Sequence, residues 1–135
     1  QETNEISEQK QNKQSENTAT GNTVITETTT DLKVYFLDVG QADSILIQNG
    51  EKNMLIDAGN NKDGQKLVTY FKSLGINKFD IIVGTHPHED HIGGLDDIIN
   101  NFEIGSIYMP KVSTTTATFE DVLDAISNKN LKVTN

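Results

Sequence analysis

From residue 32 onward the chain alternates between short apolar runs and amphipathic stretches. Residues 32–39 (LKVYFLDV) are rich in β-branched and aromatic types and end at Gly40, which predicts a strand. Residues 43–48 predict a second strand. Asn49-Gly50, a favoured dipeptide of tight hairpins, sets it antiparallel to a third at residues 53–57. Ala58-Gly59-Asn60-Asn61 is a loop by composition. The period then changes: Leu67, Val68, Phe71 and Leu74 fall at helical intervals, with Gly75 where a helix would end. Residues 80–84 (DIIVG) form the almost continuous apolar run of a strand buried on both faces. Helical spacing returns at Leu95, Ile98, Ile99 and Phe102. Residues 105–109 read as a strand closed by Pro110, and residues 112–116 as a loop. Thr118 is expected to cap a helix whose buried stripe is Phe119, Val122, Leu123 and Ile126. A short last strand spans residues 131–134. Strands passing into strand and helix alternation indicate a sheet with helices packed on it, α/β or α+β.

Residues 1–31 break this pattern. They are mostly Gln, Glu, Asn, Thr, Ser and Lys, with Val24-Ile25 as the only adjacent apolar pair. Such a segment cannot offset the entropy of ordering, so a disordered polar leader is expected, with the folding unit at 32–135. A leader of this kind suits a spacer behind a removed export signal or lipid anchor, which favours a secreted or cell-surface location. No apolar run is long enough to span a membrane. The net charge is −9 and every cationic side chain is lysine, so no basic patch for phosphate backbones is visible. Cysteine is absent, which removes thiolate ligands and disulfides.

The candidate chemistry is concentrated in one place. The chain's only three histidines, His86, His88 and His91, stand with Glu89 and Asp90 within six consecutive residues. Neutral imidazoles with a carboxylate oxygen suit zinc or a similar divalent ion. The plainer alternative, a polar surface loop, fits one isolated histidine better than this clustering. Pro87 favours an extended conformation at His86, and residues two apart then point to one side, so His86 and His88 can reach one ion. Asp90 and His91 lie beyond a bend and can hold a second. Gly93 and Gly94 remove bulk where the next helix begins, letting backbone approach.

Residues 85–94 (THPHEDHIGG) resemble the His-x-His-x-Asp-His-x-Gly-Gly signature of the metallo-β-lactamase superfamily, and Leu55-Ile56-Asp57-Ala58-Gly59 resembles its earlier aspartate motif. Residues 34–47 (VYFLDVGQADSILI) are similar to the opening of the metallohydrolase domain at the C-terminus of bacterial DNA-internalisation competence proteins. That branch usually has Gly where this chain has Ala42. The resemblance implies the N-terminal half of an αββα sandwich. It makes His86 and His88 ligands of one zinc, and Asp90 and His91 ligands of a second. A metal-bound hydroxide would attack the substrate, with Asp90 also guiding the nucleophile's proton. Asp57 either orients the ligand loop or simply ends a strand beside a turn. Asp38 and Asp43 read as turn formers with a structural hydrogen-bond role.

The superfamily completes its site with later histidines and a bridging aspartate, and no histidine follows His91 here. Asp96, Asp97, Glu120, Asp121 and Asp124 fall on predicted helices as solvated faces or caps. The expectation is a partial domain lacking its C-terminal half, weak in metal binding and inactive by itself. The parent is read as a di-zinc hydrolase of a phosphodiester or other ester-like bond. A small-molecule substrate fits, and nucleic acid gains no support from the acidic charge. A non-enzymatic binding module and a β-lactam or thioester hydrolase are the alternatives.

Overall fold

A computed structural model describes residues 31–135; the proposed leader lies outside them, Asp31 excepted. Strands β1 (Leu32–Phe36), β2 (Ile45–Asn49), β3 (Lys52–Ile56), β4 (Lys78–Val83), β5 (Glu103–Tyr108) and β6 (Val133–Thr134) form one six-stranded sheet in sequential order. The first three are antiparallel, and β3 to β6 run parallel. Each parallel step is bridged by helix: α1 (Gly64–Ser73) between β3 and β4, α2 (Glu89–Ile92) and α3 (Leu95–Asn101) between β4 and β5, and α4 (Ala117–Asn128) before β6. Crossovers of one hand between neighbours in sequence put these helices on one face of the sheet.

That face carries the core. Leu46, Leu55, Ile82 and Ile107 project from adjacent strands and are fully buried or nearly so, beneath Leu67, Phe71, Ile98, Ile99 and Val122 of the helices. Phe71, Phe79 and Phe102 pack edge to face, with centroids 5.1 to 6.3 Å apart. The opposite face, with Val34, Phe36, Ile45, Met54, Ile81 and Tyr108, is half-buried or exposed, and Phe36 is 80% exposed. The apolar run of β4 therefore has Ile82 sealed under helices while Ile81 and Val83 remain partly open. Among the described residues no helix is long and apolar enough to cross a membrane.

Several boundaries differ from expectation. Strand β1 stops at Phe36, because Leu37 to Ser44 leave the ladder as a loop stitched by the Leu37 amide to the Ser44 carbonyl at 3.0 Å. The hairpin turn is Gly50-Glu51, since Asn49 still pairs with Lys52, and Gly50 takes the positive φ of 59°. Thr116, not Thr118, caps α4, accepting from the Phe119 amide, while Thr118 is buried and bonds Asn61. Leu123 is exposed, because the stripe continues through Ala125 and Ile126 instead.

The loops that carry the histidines are held by backbone packed on backbone. A Cβ added at Gly93 would strike the Asn61 amide, the Asn60 carbonyl carbon and the Glu89 oxygen. One at Gly94 would lie 2.5 Å from the Ala58 oxygen. Gly75, with φ of 77° after α1, has open space around it. Gly93→Ala is therefore expected to cost about 2–4 kcal/mol in chemical denaturation because rigid backbone must move. Gly75→Ala should cost only about 1–2 kcal/mol from its left-handed conformation. Equal costs would contradict this packing.

Asp96 on α3 has its pKa raised: burial disfavours its charge, and Asp97 and Asp121 add like charge. Its native form thus favours the proton more than the unfolded chain does. The associated stability is present at low pH and is lost as pH rises through the raised folded pKa. Asp96→Asn should accordingly raise the melting temperature at neutral pH, with the gain disappearing below about pH 3, where carboxylates are protonated.

Candidate metal centre

The two motifs meet because β3 and β4 are parallel neighbours, so their C-terminal ends lie side by side: Ile56 pairs with Val83. Asp57 follows one strand and Thr85-His86 the other. The Asp57 amide bonds the Val83 carbonyl at 2.9 Å, after which Asp57 turns left-handed with φ of 57°. That conformation costs roughly 1–2 kcal/mol in a non-glycine residue. It aims the carboxylate along the sheet edge toward the histidine loop.

The buried Asp57 carboxylate, 2% exposed, is fully engaged there. Oδ1 accepts from the Thr85 amide at 2.8 Å; Oδ2 accepts from the Thr85 hydroxyl at 2.5 Å and from His91 Nδ1 at 2.9 Å. With its proton given to Asp57, Thr85 Oγ1 accepts from His86 Nδ1, 3.2 Å away. Both imidazoles are thereby set with Nδ1 as donor and Nε2 carrying the lone pair, the arrangement that outer partners impose on metal-binding histidines. His91 Nε2 lies 3.6 Å from Asp90 Oδ2.

His88, extended at φ −96° and ψ 150°, stands at the start of α2, and the His91 amide returns to its carbonyl at 3.1 Å. This tight turn swings His91 back over His86, with ring centroids 3.7 Å apart. His88 is exposed, and its ring lies edge-on to His86 at 4.7 Å. Donor atoms of His86, Asp90 and His91 all lie within 4.8 Å of one another. Zinc ligands at about 2.0–2.2 Å stand at most about 4.4 Å apart, so these three need little adjustment to share an ion. Glu89 is turned away, its carboxylate accepting from the Asn61 amide at 3.0 Å.

The electrostatics favour a cation. Asp43 Oδ2 is 3.5 Å from His91 Nδ1, so the carboxylates of Asp43, Asp57 and Asp90 surround one imidazole. The lysine ion pairs Lys52–Asp80, Lys66–Asp63 and Lys78–Glu103 involve other carboxylates. Asp38 is exposed and accepts from the Gly40 amide at 3.2 Å, a local turn bond. Gly93 and Gly94 give the close backbone approach described above, with the Gly93 amide on the Gly59 carbonyl at 2.9 Å. Sequence reasoning overlooked Thr85, whose place next to His86 was its only signal. It also overlooked Ser44, whose buried hydroxyl donates to the Asp57 carbonyl at 3.1 Å across thirteen residues and left no local trace.

The profile of the metallo-beta-lactamase superfamily matches residues 37–131. ComE operon protein 3 of Bacillus subtilis (strain 168) is 25% identical over 121 residues, covering 75% of this chain and 15% of that protein. Among solved structures, the Rm3 metallo-beta-lactamase is 26% identical over 56% of this chain and 28% of its own, with a TM-score of 0.47. A diphosphatase from the PhnP family is 25% identical over 69% and 36%, with a TM-score of 0.42. The chain thus spans well under half the length of each of these relatives. With the profile covering most of the chain, including both the Asp57 and histidine motifs, it belongs to the metallo-beta-lactamase superfamily, a family of metal-dependent hydrolases.

Proposed function

We propose that this chain supplies the metal loop of a di-zinc hydrolase acting on a phosphodiester or other ester-like bond. The observation that carries the reading is the convergence of His86, Asp90 and His91 donors in front of a buried carboxylate that orients two of them. Zinc held there would lower the pKa of water toward about 7 and polarise the scissile bond. The family pattern would give His86 and His88 to one ion and Asp90 and His91 to a second, whereas the donors that stand together here are those of His86, Asp90 and His91. Asp90 would also guide a proton from the nucleophile. Asp57 would act through the histidines, fixing tautomer and ring direction. The phosphodiester preference rests on the likeness of residues 34–47 to the competence-protein branch. The net charge of −9 lends nucleic acid no particular support, so it stays one ester among several. Residues 32–135 would form part of the complete domain, with a small-molecule or polymeric ester as its partner.

On the family pattern, four donors divided between two ions give each fewer ligands than the three of a catalytic zinc. Calorimetric titration of this chain with zinc should therefore give weak binding; tight uptake of two ions would contradict that. For the full-length protein, a panel of phosphodiesters, nucleic acids, β-lactams and thioesters assayed with and without chelator should show chelator-sensitive turnover of an ester. His86→Ala with His88→Ala should abolish it, a loss of about 10³-fold or more if the metal supplies several kcal/mol of barrier reduction. Metal-independent behaviour across the panel would sink the reading, and ligand binding that survives both substitutions without any hydrolysis would favour a binding module.

A further inference from the structure

Asp38 and Asp43 occupy the same loop and look alike in sequence, yet the structure divides them. Asp38 closes a local turn onto Gly40. The Asp43 carboxylate instead points out of the loop, with Oδ2 3.5 Å from His91 Nδ1, and its side chain is 65% exposed. Its backbone is tied to both halves of the centre: the Asp43 amide donates to the Asp90 carbonyl at 3.1 Å, and its carbonyl accepts from the Gly59 amide at 2.9 Å. The next residue, Ser44, grips the Asp57 carbonyl. A turn former has no need of these long-range partners.

We propose that Asp43 is a positioning residue of the metal centre, adding negative charge beside His91 while its backbone latches the ligand loop to the end of β3. The inference rests on the metal reading above. Asp57 already takes the short 2.9 Å bond from Nδ1, so Asp43 at 3.5 Å acts through charge more than through a hydrogen bond. Charge acting from an exposed position is screened by salt, whereas a buried hydrogen bond is not. This difference separates the two aspartates.

The test is zinc titration of the full-length protein by calorimetry, at low and high salt, with Asp43→Asn, Asp43→Glu and Asp57→Asn compared with wild type. Asp43→Asn should keep its melting temperature, because both latch bonds are backbone. It should bind zinc roughly 3–10-fold more weakly at low salt, the deficit closing near 1 M salt. Asp43→Glu, which keeps the charge, should restore affinity. Asp57→Asn should lose about 10–100-fold at either salt, as removal of an orienting partner does. Nitrogen chemical shifts of the His91 ring should report an unchanged tautomer in Asp43→Asn and an altered one in Asp57→Asn. Wild-type affinity in Asp43→Asn at low salt, with Asp57→Asn weakened, overturns the role of Asp43 alone. Full-length wild-type protein that takes up no zinc overturns the metal reading and this inference with it.

Discussion

A carboxylate removed from water must be fully hydrogen-bonded or it shifts to its neutral form, and the arrangement around Asp57 follows from that requirement. Its oxygens take three donors, two from Thr85 and one from His91. Those donors sit on the segment after β4, so satisfying Asp57 brings the histidine loop to the end of β3. The parallel pairing of β3 with β4 makes this possible, because it sets the two strand ends together, where open α/β sheets gather their ligands. An antiparallel neighbour would have delivered that loop to the opposite edge.

The second constraint is space. Three loops cross within van der Waals distance at this edge, and the contacts that join them are mostly main chain: Ala58 to His91 at 2.7 Å, Gly93 to Gly59 at 2.9 Å, Asp43 to Asp90 at 3.1 Å. Backbone bonds of this kind do not depend on side-chain identity, but they demand the absence of side chains at the crossing points. Gly93 and Gly94 meet that demand. The candidate ligands therefore hang from a rigid frame, and the directions of His86 and His91 are set by Thr85 and the Asp57 carboxylate behind them.

This division explains what was legible in the sequence. Periodicity revealed the sheet and its helices, since Leu67, Val68 and Phe71 or Ile98 and Ile99 are buried for the reason their spacing suggests. The histidine and aspartate motifs were legible because ligand types are scarce and were clustered. Features set by distant partners were hidden. Thr118 looked like a cap, but a buried position facing Asn61 claimed its hydroxyl, and Thr116 closed the helix instead. Leu123 matched the apolar stripe but fell on its solvent side. Asp43 read as a turn residue because nothing within its own loop betrays the His91 ring opposite.

The acidity of the chain acquires a different meaning at the site. Read as a surface property, a net charge of −9 disfavours polyanions. At the centre, however, Asp43, Asp57 and Asp90 surround one imidazole, and three carboxylates so placed attract a cation. Two divalent ions would more than offset three carboxylates and turn the local potential positive. An anionic ester would then be repelled from the bare centre and drawn to the loaded one. Negative composition and an anionic substrate are thus compatible, provided the metal is bound before the substrate arrives.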